Sequence, residues 1–174
     1  MAGVRNHAVL KGVGLGFAGG LVGSWTMNQF QALWSKLSQG DQQRSQQSQS
    51  QQQEELEPAT VEFAKKIGTA VLHRDLNPRE KKIAEPLVHY GYGSFMGGVY
   101  GALAEVNPAS TKAVGLPFGA ALWLVGDEIA VPALGLSKSP RQYPVSTHLQ
   151  SLAAHFVYGL TTEAIRRVMR RALG

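Results

Sequence analysis

His148, His155 and Glu163 are spaced seven and eight residues apart, and residues 142–162 carry no formal charge when the histidines are neutral. On a helix this puts the two histidines two turns apart on one face, with Glu163 within about 60° of it. Asp127 and Glu128 are the only charges in residues 113–137, and His89 opens the run HYGYGSFMGGVYGALAE, residues 89–105. Imidazoles and carboxylates in apolar surroundings can pass protons, bind ions or ligate metals. Two histidines seven apart are separated by about 10 Å along the axis, so one metal ion would also need His89 or Asp127 from another helix. On a helix, adjacent Asp127 and Glu128 point about 100° apart and are not expected to face one narrow site. The ordinary reading of the histidines is packing, each bonded to a carboxylate or carbonyl. The sharper reading is a proton or ion path through Asp127, His155, His148, His89 and Glu128; a metal or ligand site comes third. No nucleophile stands beside a base, and no dinucleotide, P-loop or zinc-helix spacing occurs, so neither an enzyme nor a cofactor or bound metal is expected.

The elements that must position these groups are apolar and long. Residues 12–35 hold no charge, and 86–104, 113–137 and 142–162 are nearly as clean. Each is close to the length a helix needs to cross a hydrocarbon core of roughly 30 Å. A soluble bundle would show a charged face every three or four residues, which these runs lack. The expected fold is an all-α integral membrane bundle of about four transmembrane helices. The first lies in 1–37, and a three-helix membrane region, 86–174, carries spans at about 87–106, 113–136 and 145–168. Between them, 38–57 reads as a disordered Gln/Ser-rich linker and 58–85 as an amphipathic or interfacial helical segment. In that segment Val61, Ala64, Ile67 and Val71 share a face. Asn77, Pro78 and Glu80 form a capping pattern, and Pro86 is expected to break or kink the helix that follows.

Gly93, Gly97 and Gly101 repeat every four residues. Gly12, Gly16, Gly20 and Ser24 do the same in the first span, and Gly115 and Gly119 in the third. Helices in lipid associate through close backbone contact, so such ridges are expected at helix interfaces. Eight of the twelve acidic residues lie between Asp41 and Glu85, so the mean hydropathy of −0.12 averages two unlike regions. The net charge of +5 does not gather into a nucleic-acid face, and no nucleic-acid partner is expected. The densest basic group, Arg166, Arg167, Arg170 and Arg171, follows an apolar run and suits lipid phosphates and a cytoplasmic flank. With four spans the N-terminus joins it. The absence of cysteine excludes disulfides and thiolate metal sites.

The stretch from HYGYGSFMGGVYGALAE through GLPFGAALWLVGDEIAVPALGL to HLQSLAAHFVYGLTTEAIRR, about residues 86–170, resembles the YagU-like family of small bacterial inner-membrane proteins. The resemblance implies several membrane spans and a bacterial inner-membrane location, and it brings no catalytic residues. The expected role is a structural or assembly subunit, packing through its glycine ridges with a second copy or a larger membrane complex in the lipid bilayer. The alternative is proton or ion transport, or acid-stress handling, through the intramembrane Asp and His residues.

Overall fold

The structure, a computed structural model, describes residues 2–42, 59–72 and 76–173. Among these residues every regular element is helical: α1 (Ala2–Gln42), α2 (Ala59–Leu72), α3 (Pro78–Val106), α4 (Leu116–Ala133) and α5 (Val145–Ala172). Short 3₁₀ turns lie at Pro108–Thr111 and Pro140–Gln142. Within α4, Trp123–Ala130 is π-helical, closed by the Val131 N–H bonding the Gly126 carbonyl five residues back.

The glycine ridges set the arrangement of the helices. Gly12, Gly16 and Gly20 of α1 face Gly101, Gly97 and Gly93 of α3, so the two helices run antiparallel with backbones touching. A Cβ added to Gly97 would sit 2.6 Å from the Gly20 Cα, and one on Gly16 would sit 2.8 Å from the Gly101 Cα. A second face of α1 lies antiparallel to α5, with Gly19 and Gly23 beside Thr162 and Tyr158. Gly115 and Gly119 lie on the α5 backbone at Gly159 and His155. Gly115 also has a φ of +87°, a left-handed turn that glycine adopts without penalty. All three predicted ridges are therefore occupied within this chain.

Several boundaries depart from the sequence reading. α1 continues to Gln42, past the expected linker start at 38; residues 43–57, the rest of that linker, lie outside the described residues. α2 packs on α3 at the end of the bundle and buries Val61, Ala64 and Gly68. Ile67 is exposed instead, and the expected placement of the Val71 side chain lies outside the described residues. The capping box forms as predicted: Asn77 Oδ1 accepts from the Arg79 and Glu80 N–H groups at 3.0 and 2.9 Å, and Glu80 accepts from the Asn77 N–H at 2.8 Å. α3 then runs through Pro86 without a break. Pro86 and Lys82, whose carbonyl loses its helical donor, are both exposed, so the freed group can be solvated.

Among the described residues two of the four expected spans are long and apolar enough to cross a membrane, Asn6–Ser38 and Leu116–Ala133. α3 and α5 have 29 and 28 residues, which is ample length, but glycine, tyrosine, histidine and arginine dilute their apolar character. Polar side chains are nonetheless buried on α1, α3 and α5, and large apolar ones are exposed on all four long helices. The fully buried side chains of greatest volume are Tyr100, Glu163, Thr162, Ser24 and Ser94. Phe17 and Leu21 on α1, Phe95 and Leu103 on α3, Leu124 and Ile129 on α4, and Leu149 and Leu160 on α5 face outward. An apolar exterior this extensive marks an interaction with lipid or protein.

Candidate functional site

The π-helical turn of α4 brings Asp127 and Glu128 against α5. Asp127 Oδ2 accepts a hydrogen bond from Ser151 Oγ at 2.6 Å and lies 3.8 Å from His155 Nδ1. Glu128 Oε1 lies 2.6 Å from His148 Nδ1. Both carboxylates open on one cavity of about 240 Å³, lined also by Ala59 of α2 and by Lys138, Tyr143, His148 and Ser151. The expectation from the α-helical wheel that Asp127 and Glu128 would serve different sites is thus corrected. The i to i+5 turn is wider than an α-turn, and α5 presents His148 and Ser151 one turn apart to receive them.

The bonds fix where the protons sit. His155 Nδ1 faces the Ser151 carbonyl at 2.9 Å, and His148 Nε2 faces the Pro140 carbonyl at 3.0 Å. A carbonyl only accepts, so both nitrogens carry hydrogen. The 2.6 Å contact between His148 Nδ1 and Glu128 then requires one further proton, on the imidazole or on the carboxyl. That pair holds an exchangeable proton at the cavity wall, one turn from the Asp127–Ser151–His155 group.

His89, from α3, lies within Coulombic reach of both His155 and Asp127 and stacks edge-on against Tyr90. Its Nε2 is buried with no hydrogen-bond partner. Of the five polar residues singled out from sequence, Asp127, Glu128 and His148 line the cavity, while His155 lies beside Asp127 and His89 is within Coulombic reach of that pair. Among the described residues no group of three or more His, Asp or Glu side chains is placed to hold a metal ion.

At the opposite end, Glu163 is 0% exposed and accepts from Arg166 Nε at 2.7 Å and from Arg167 Nε. Arg166 Nη1 is 3.7 Å from Glu105, which also pairs with Arg170, and Arg167 donates to the Thr111 carbonyl at 2.8 Å. Three of the four arginines expected at lipid phosphates thus hold carboxylates of the bundle, while Arg171 is exposed. Lys11 Nζ donates to the Leu173 carbonyl at 2.7 Å, placing the start of α1 beside the end of α5.

Sequence reasoning missed Ser151, Thr162 and the Gly19–Gly23 face. The signal was present: His148, Ser151, His155, Tyr158, Thr162 and Arg166 follow three- and four-residue steps along one face of α5.

Among the described residues the fold is an all-helical bundle that buries Ser24, Ser94, Thr162, Glu163 and Arg166 beside a small apolar cluster and exposes many large apolar side chains. The chain belongs to a family described as proteins of unknown function, DUF1440, whose model matches residues 47–164. The match takes in His89, Asp127, Glu128, His148, His155 and Glu163, and begins nearer the N-terminus than the resemblance drawn from the sequence. No curated protein and no solved structure matches the chain.

Proposed function

We propose that this chain crosses a bacterial inner membrane four times, as a YagU-like protein, and binds and passes protons through Asp127, His155, Glu128, His148 and His89. The observation that carries the reading is that Asp127, Glu128 and His148 line one cavity, with a proton held between His148 and Glu128 and with His155 3.8 Å from Asp127. A charge at the centre of a bilayer costs roughly 2.5–3.5 kcal/mol on insertion scales, so intramembrane carboxylates and imidazoles that meet are functional candidates. The rival reading, a subunit that joins partners through glycine ridges, needs those ridges on the outside. Here they face one another inside the chain.

The arginine-rich end of α5 beside Lys11 favours cytoplasmic N- and C-termini. Arg171 and the exposed parts of Arg167 and Arg170 would meet lipid phosphates there. A C-terminal reporter should be active only on the cytoplasmic side, and alkaline washing should leave the chain in the membrane. Activity outside, or extraction by alkali, would overturn this topology.

In proteoliposomes carrying a pH-sensitive dye, the wild-type protein should dissipate a proton gradient. Asp127→Asn and His155→Ala should each slow it by about a hundredfold, because each removes a positioned proton carrier. The double variant should be no slower than either single one. A wild type no leakier than protein-free vesicles would remove the reading.

A further inference from the structure

We propose that Ser151 is the positioning residue of the proton site: its hydroxyl aims the Asp127 carboxylate and its carbonyl holds the His155 ring, so that two groups that do not bond each other act as a pair. This rests on the proton-passing reading above and deepens it by one residue. Ser151 keeps its own proton throughout.

Asp127 Oδ2 lies 3.8 Å from His155 Nδ1, beyond the roughly 2.7–3.2 Å of a hydrogen bond from nitrogen to oxygen. What ties the two together is Ser151. Its Oγ donates to Asp127 Oδ2 at 2.6 Å, and its carbonyl accepts from His155 Nδ1 at 2.9 Å. The second bond sets the tautomer: with hydrogen on Nδ1, a neutral His155 takes up a proton at Nε2. The first sets the carboxylate. The Asp127 side chain is 43% exposed, against 12% for His155, so packing alone does not hold it.

A serine or threonine hydroxyl inside a helix readily bonds back to the carbonyl three or four residues earlier. Thr26 does so in α1, donating to the Gly23 carbonyl at 2.9 Å. A hydroxyl has one hydrogen to give, and Ser151 commits it to Asp127 on α4 instead. Its place on α5 suits that task. Ser151 follows His148 by three residues and precedes His155 by four, so the three share a face, and it lines the cavity with Asp127, Glu128 and His148.

The test uses the full-length protein in dye-loaded vesicles with the membrane potential clamped. Ser151→Ala should cut proton flux about tenfold, since displacing a reacting group by about 1 Å can cost about a hundredfold. Ser151→Thr, which keeps a hydroxyl on the same carbon, should recover most of it. On the Asp127→Asn background Ser151→Ala should slow flux no further, because nothing remains to be aimed. The infrared band of the Asp127 carboxylate, assigned by its loss in Asp127→Asn, should shift in Ser151→Ala and return in Ser151→Thr. Thr26→Val is the control for hydroxyls that only join helices: Thr26 Oγ1 lies 3.0 Å from Thr161 Oγ1 of α5, neither residue lines the cavity, and the variant should conduct like wild type. If Thr26→Val loses as much flux as Ser151→Ala, the loss reports a loosened bundle and the assignment falls. It falls equally if Ser151→Thr is no better than Ser151→Ala, or if the Asp127 band does not move. Slow flux in Asp127→Asn beside wild-type flux in Ser151→Ala would remove Ser151 from the site while the proton reading stands, and a non-conducting wild type would overturn both.

Discussion

Gly97→Leu should pull α1 and α3 apart, and Gly97→Ala should already lower the thermal midpoint measured in detergent. A Cβ at this position meets backbone: the Gly16 carbonyl oxygen, then the Gly20 Cα at 2.6 Å and the Gly20 nitrogen at 2.8 Å. Backbone cannot swing aside as a flexible side chain does, so the helices must separate along the whole ridge. Overpacking a tight interior costs about 1–3 kcal/mol, and the leucine belongs at or above the top of that range. In lipid the loss is compounded, since close contact is what draws helices together. Gly98→Ala is the matched control. Its Cβ would meet nothing nearer than Val13 at 3.5 Å, an ordinary contact, so its midpoint should stay at the wild-type value. Equal midpoints for Gly97→Ala and Gly98→Ala would mean that the ridge is not a tight interface.

The glycine spacing was legible because it obeys one rule at one scale. A residue without a side chain every fourth position makes a groove, and a second groove is its natural complement. What the spacing could not give was the partner. Gly16 meets Gly97 within the same chain, as a helix interface of the bundle, whereas the sequence reading also offered the ridges to a second copy or a larger complex; periodicity encodes a face but not what covers it. The end of α1 was misplaced for a related reason. Gln and Ser lack the apolar face that signals a packed helix, but they do not forbid continuation of a helix nucleated upstream, so α1 reaches Gln42.

The polar site was legible by residue and not by geometry. Asp127 and His155, both named from sequence for a polar path, approach to 3.8 Å with the Ser151 hydroxyl bonded to the same carboxylate oxygen. The Glu128–His148 pair was not expected, because the wheel assumed an α-helical turn. The π-turn is closed by the Val131 N–H on the Gly126 carbonyl, a choice over the α-helical bond that local sequence does not specify. Fully buried hydroxyls at Ser94 and Thr162 were equally hard to see, since serine and threonine pass for neutral filler in an apolar run, whereas Ser24 was placed at an interface by the glycine ridge it ends.

Glu163→Ala should be the most destabilising change at the other end of the bundle. Glu163 is 0% exposed and binds both Arg166, itself 6% exposed, and Arg167. Removing the carboxylate strands a guanidinium among apolar and backbone neighbours, and breaking a buried ion pair from one side costs about 3–5 kcal/mol. Glu105 compensates only in part, because its approach to Arg166 is 3.7 Å and it is already engaged by Arg170. Removing both partners has a different consequence. Glu163→Met combined with Arg166→Met replaces the pair by apolar groups of similar volume, and such exchanges are often neutral or stabilising. The double variant should therefore melt closer to wild type than Glu163→Ala does, and the wild-type midpoint should itself be little affected by salt, since a buried pair is poorly screened. If Glu163→Ala melts with the wild type, the carboxylate is solvated and the network is a surface feature. If the double variant is as unstable as the sum of its single changes, the two side chains act independently, and the end of the bundle is held by Glu105 with Arg170 and by Arg167 on the Thr111 carbonyl instead.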